Sequence, residues 1–231
     1  MTSLDGRNDT ASKRRDAQRA ALLDAASDML MRGGPDALSL RKIAAKVGTS
    51  TMAVYTAFGG KEGLVAALFE EAFDRLADAE FAVERPADPL LWLGGLGQAY
   101  RRFAIENPSY YALMISVTMP VSAALRHDQP ADGETPARNI SRHPSFQILI
   151  DAIEACIAEG SFSADADALV IADALWATTH GHCSLELAGF YASAETAEAR
   201  FASASTAVLK GFLSPKGLEK LRSRPDPNLS C

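Results

Sequence analysis

The chain has 231 residues, 48% of them hydrophobic and 23% charged, proportions ordinary for a globular protein with a sizeable core. A formal net charge of −6 argues against a uniformly basic nucleic-acid binder, but the charge is uneven: residues 1–61 hold 10 Lys/Arg against 6 Asp/Glu, and residues 62–231 hold 13 against 23. Such a basic first quarter on an acidic body suits one end that faces a polyanion.

Alanine is abundant and Val and Ile are sparse beside it, which favours an all-α fold of about nine helices. Residues 1–15 read as a disordered basic arm. From Lys13 to about Arg32, Ala21, Leu22, Ala25, Ala26, Met29 and Leu30 recur at helical spacing. "GGPDA" (33–37) ends that helix, because glycine suits a left-handed C-terminal position and Pro35 prevents continuation. Ser39 is placed to cap a short helix with Leu40, Ile43, Ala44 and Val47 inward; Gly48 breaks it, and Ser50 caps another running to about Phe58. "GG" (59–60) punctuates before a longer amphipathic helix from Lys61 to about Glu84. After the boundary "ERPADP" (84–89), helical patterns follow at about 89–106, 108–117, 144–159, 166–191 and 194–213. Residues 127–143 have the composition of a mobile loop, and 214–231, with Pro215, Pro225 and Pro227, that of a flexible tail. Three scattered cysteines, a polar N-terminus and the absence of a long enough apolar run point to a cytoplasmic protein with no membrane partner.

Residues 39–64, "SLRKIAAKVGTSTMAVYTAFGGKEGL", raise a physical question. Each half is too short to persist alone, since about 12–15 residues is already marginal for an isolated helix. Helix, glycine turn, helix is the arrangement in which one helix braces another that enters the DNA major groove. With Leu40, Ile43, Ala44, Val47, Val54 and Phe58 inward, Thr51, Met52, Tyr55 and Thr56 face out. Hydroxyls donate and accept, so they serve phosphates and base edges alike, and Lys61 adds a cation at a helix N-terminus already favourable to phosphate.

The same stretch resembles the DNA-binding domain of the TetR (tetracycline-repressor) family, through Ser39-Leu40, Ile43-Ala44, Gly48-Thr49-Ser50, Val54-Tyr55, Phe58 and Lys61-Glu62-Gly63-Leu64. The resemblance spans roughly 16–76, with the helix-turn-helix at 39–58. It implies DNA contacts at Arg41, Ser50, Thr51, Ala53, Tyr55, Thr56 and Lys61. Two departures stand out: Thr56-Ala57 where the family often has aromatic or His residues, and Gly59-Gly60 where it usually has Pro-Ser, a weaker cap. The bland alternative is a helical hairpin used only for packing.

Residues 77–213 then read as a ligand-binding and dimerisation domain. "DALWATTHGHCSLELAGF" (173–190) and "YRRFAIENPSYYALMI" (100–115) resemble the C-terminal domain of a subset of the family carrying Trp and His-Gly. That resemblance implies a pocket for a small effector and a homodimer through the last two long helices, about 166–213. Trp92, Tyr100, Phe103, Tyr110, Met114, Phe146, Trp176 and His180 supply aromatic and soft apolar surface for an apolar ligand, although any one of them taken alone reads more readily as core. His180 and Cys183 converge on one helix face, but two ligands do not make a zinc site; packing of His180 one turn after Trp176, with a ring nitrogen hydrogen-bonded, is the better reading. No metal, no cofactor and no enzyme activity is expected: G-x-S-x-G, P-loop and H-E-x-x-H patterns are absent, and "GGLGQA" (94–99) lacks the third glycine of a dinucleotide fingerprint. The sequence thus points to a ligand-responsive repressor of a double-stranded operator. The alternatives are a ligand-binding protein without specific DNA binding or, at a distance, an enzyme acting on an apolar compound.

Overall fold

A computed structural model describes residues 5–34, 37–114 and 143–223. Among them are ten helices and no strand: α1 (Asp5–Gly33), α2 (Leu40–Val47), α3 (Thr51–Phe58), α4 (Lys61–Phe81), α5 (Pro89–Glu106), α6 (Pro108–Met114), α7 (Pro144–Glu159), α8 (Ala168–Leu187), α9 (Ala194–Lys210) and α10 (Pro215–Arg222). The all-α class follows the sequence. All of the expected loop at 127–143 except His143, and the last residues of the expected helix 108–117, lie outside the described residues, as do 1–4 and 224–231.

Short polar side chains set the helix starts. The hydroxyls of Ser39, Ser50, Ser193 and Ser214 and the carboxylate of Asp167 accept from backbone N–H groups that have no intrahelical partner. Each such cap stabilises by about 1 kcal/mol. One of them corrects the reading of the tail: residues 215–222 form a helix, because Ser214 caps it and Pro215 sits in its first turn, where a missing N–H costs nothing. At the other end, α1 starts at Asp5 rather than Lys13, since nothing from 7 to 32 breaks a helix.

The described chain divides into two compact units, 5–34 with 37–75 and 107–114, and 76–106 with 143–223. The division falls inside α4, one residue before the boundary expected from sequence, and it assigns α6 to the N-terminal unit. There the Tyr110 hydroxyl donates to Asp24 of α1 at 2.9 Å, and the Arg75 guanidinium lies 4.3 Å over the Tyr110 ring. In the second unit, α5, α7 and α8 enclose a core of Leu90, Trp92, Leu96, Phe146, Ile153, Phe162 and Ile171.

Candidate nucleic-acid interface

The helix-turn-helix is built from the inside out. Ile43 and Ala44 of α2 and Val54 and Phe58 of α3 are buried, with Leu22, Leu23 and Ala26 of α1 buried in the same unit. Gly48 ends α2 at φ 72, a left-handed conformation that a residue with a Cβ adopts only under strain, and its N–H closes onto Ala44 and Ala45. Two residues on, Ser50 Oγ accepts from Ala53 N at 3.2 Å and starts α3. Two side chains of α1 fasten this pair: Gln18 Nε2 donates to Thr49 Oγ1 at 2.9 Å, and the Arg19 guanidinium lies 5.2 Å over the Phe58 ring.

With its apolar face used, α3 presents its other face to solvent. Tyr55 is 50% exposed and Met52 71%; Thr56 is exposed, and Thr51 and Ala53 are half-buried. Arg41 and Lys61 are exposed at the starts of α2 and α4. Two hydroxyls are partly committed: Thr56 Oγ1 donates to Met52 O at 2.9 Å, which leaves it lone pairs to offer, and Ser50 Oγ is engaged as a cap, which leaves it a proton. Tyr55 keeps both.

The double glycine before α4 is not a loose joint. Gly59 closes α3 in the left-handed region, its N–H on Tyr55 O at 2.7 Å. At Gly63 a Cβ would fall inside the van der Waals envelope of the Phe58 carbonyl oxygen, so that glycine lets α4 start directly against the end of α3. Sequence reading placed Gly63 within a motif without seeing this role, which depends on a close approach between two helices.

In the second unit, four residues expected to line a ligand site come together. His180 Nδ1 is hydrogen-bonded to the Tyr100 hydroxyl at 2.6 Å; the Trp176 ring centroid stands 5.6 Å from His180, and Phe146 meets Trp176 edge-on at 6.2 Å. Burial pushes the His180 pKa down to about 4, so the ring is neutral. Trp92 is buried in the core cluster that also holds Phe146 and that Trp176 packs against, beneath the Arg85 guanidinium at 4.0 Å, and Phe103 is buried as well. Tyr110 and Met114 belong to the N-terminal unit.

Sequence reading missed a polar lock beside this cluster. Arg101 of α5 makes a bidentate pair with Glu186 of α8 at 2.8 and 2.7 Å, both side chains about nine-tenths buried. His182, also buried, stacks on Tyr191 at 4.8 Å and is hydrogen-bonded to its hydroxyl at 3.0 Å, which fixes the α8–α9 turn. Burial pushes the neighbouring Cys183 thiol up to about 12, so it is an unreactive packing group.

Two family descriptions match the chain: "Bacterial regulatory proteins, tetR family" over residues 22–68 and "Tetracyclin repressor-like, C-terminal domain" over residues 93–208, half of its length. The chain belongs to the TetR family. The HTH-type transcriptional regulator Rv1816 of Mycobacterium tuberculosis is 31% identical over 117 residues, 47% of this chain and 49% of that protein. The chain thus spans about half the length of the curated relatives it matches. Among solved structures, a protein of unknown function from Rhodococcus sp. RHA1 is 27% identical, with TM-score 0.65 over 85% of this chain and 96% of that one. The TetR family transcriptional regulator PfmR from Thermus thermophilus is 20% identical, with TM-score 0.60 over 82% and 97%, a likeness of fold. The first match covers α2, α3 and the start of α4, so the motif and the described helix-turn-helix coincide in this TetR-family chain. Among the described residues no helix is long and apolar enough to cross a membrane, and no group of three or more His, Cys, Asp or Glu could hold a metal ion.

Proposed function

We propose that this TetR-family chain is a homodimeric, ligand-responsive transcriptional repressor. Each subunit lays α3 in the major groove of a pseudo-palindromic operator, the two half-sites about 34–36 Å apart. The observation that carries this reading is the outward face of α3: Thr51, Tyr55 and Thr56 remain accessible, between Arg41 on α2 and Lys61 on α4. Their hydroxyls meet phosphates and base edges, and the two cations meet the backbone. The dimer forms through α8 and α9. Val170, Ala177, Gly181 and Leu185 share one exposed face of α8, two apolar side chains among small ones, the composition that lets helices approach closely.

A small apolar effector binds in the body beside Tyr100, Phe146, Trp176 and neutral His180, and acts through α4. The division between the two units falls within that helix. Release requires only that the effector favour the non-binding arrangement by a few kcal/mol. The test is a fluorescence-anisotropy titration of a labelled duplex from the region upstream of the gene, with sedimentation of the free protein. Saturable binding by a dimer, lost on reversing the charge of Lys61 and weakened by Tyr55→Phe, is the expected result. A folded dimer that binds no such duplex even at low salt would overturn the proposal.

A further inference from the structure

The polyanion-facing surface extends beyond α2, α3 and the start of α4. We propose that the N-terminal stretch of α1, through Arg14 and Arg15, clamps the DNA phosphate backbone on the flank of the site that α3 reads. This rests on the DNA-binding reading above and adds to it a second, sequence-independent contact surface.

The path of α1 carries the argument. Arg32 and Asp28 border one surface groove with Lys42 and Lys46 of α2, and Asp28 pairs with Lys46 at 2.8 Å. Further back along α1, Gln18 meets Thr49, the residue before the α3 cap. Thus α1 runs antiparallel to α2 and reaches the N-terminal end of α3 at Gln18. That end of a recognition helix is the one that approaches base edges.

Helix geometry then fixes what lies beyond. Residues three and four before Gln18 share its face, so Arg14 and Arg15 stand one turn, about 5–6 Å, beyond Gln18 along α1. Side chains on a helix lean toward its N-terminus, which carries both guanidinium groups further in the same direction. Both residues are exposed. Asp16 projects from the opposite side of the helix, about 160° from Gln18, and so leaves this face cationic. Arg19 is occupied elsewhere, over Phe58 and 3.8 Å from Glu71, and serves as the fastening that holds α1 in place. A rigid helix presenting two forked cations beside a reading head is complementary to a run of phosphates, which guanidinium groups engage bidentately. The acidic residues concentrated beyond residue 61 offer duplex DNA no comparable surface.

The experiment uses full-length protein and a duplex enriched by the wild-type chain from a random-core pool. The duplex is made in two forms, with about one helical turn of flanking sequence on each side and with the flanks trimmed. Affinity is measured between about 50 and 200 mM salt for wild type and for Arg14→Gln/Arg15→Gln, with helicity checked by circular dichroism. On the long duplex the variant is expected to show a salt slope shallower by about 0.9 per lost phosphate contact in each subunit, with affinity down roughly tenfold or more at the higher salt. Its ranking of core-sequence variants stays that of wild type, and trimming the flanks weakens wild type but not the variant. Equal slopes and affinities for the two proteins on the long duplex would overturn the inference alone, as would a changed core preference in the variant. Failure of the wild-type chain to enrich any duplex would overturn the DNA-binding reading and this one with it.

Discussion

Glu80 should make the protein less stable as pH rises through neutrality. It lies on α4 on the face of Leu76 and Ala77, is 5% exposed, and its Oε2 has no hydrogen-bond partner. Burial without compensation pushes its pKa from 4.5 up to about 9. The sign follows from proton counting. Between those two values the folded chain holds a proton on Glu80 that the unfolded chain has released, so unfolding sheds a proton and is favoured by higher pH. The slope is about 1.4 kcal/mol of lost stability per pH unit, or about 3 kcal/mol between pH 6 and pH 8. Glu80→Gln keeps the shape and removes the titration. Urea denaturation of both proteins at pH 6, 7 and 8 should show the variant gaining on wild type by about that amount across the range. A constant offset between the two curves would refute the reasoning, because a mere change in packing carries no pH dependence.

Three further expectations concern the joints of the fold. Gly63→Ala places a methyl group against the Phe58 carbonyl, so it should lower the melting temperature and abolish duplex binding, whereas Gly94→Ala, where a Cβ meets open space, should leave binding unchanged. Glu186→Gln strands the largely buried Arg101 guanidinium; a loss of about 3 kcal/mol is expected by denaturant titration, and Arg101→Met/Glu186→Leu should recover much of it. Glu159, held down to about 2 by Lys216, Ser161 and Lys220, tethers α10 to the end of α7. Because its folded pKa lies below the ordinary value of 4.5, the tether is intact at neutral pH and is lost as pH falls through about 2. Glu159→Gln should therefore speed tryptic cleavage at Lys216 and Lys220 at pH 8, and an unchanged cleavage rate would show that the tether does not hold α10.

Much of the N-terminal unit was legible from its residues because its determinants act over three or four positions. The serine caps at 39 and 50, the glycine at 48 and the apolar spacing of Ile43, Ala44, Val54 and Phe58 each prescribe a local backbone state, and the structure places them so. The same rules misjudged the tail, where the count of prolines outweighed one well-placed Ser214. The candidate ligand site was only half legible. Aromatic residues at helical spacing look alike whether they line a cavity or fill a core, and the unit to which Tyr110 belongs is decided by Asp24, 86 positions away.

The sequence alone determined that this chain is helical, where most of its helices begin, and that its basic end carries a braced pair of short helices with a hydroxyl-bearing outer face. Those properties follow from capping, periodicity and charge, which neighbouring residues settle among themselves. Tertiary structure alone decided that Gln18 meets Thr49, that Arg101 is locked to Glu186, that Gly63 must lack a side chain, and that Glu80 is sealed from water. Each depends on which distant segments pack together, and a pairing over such separations leaves no periodic trace in the chain.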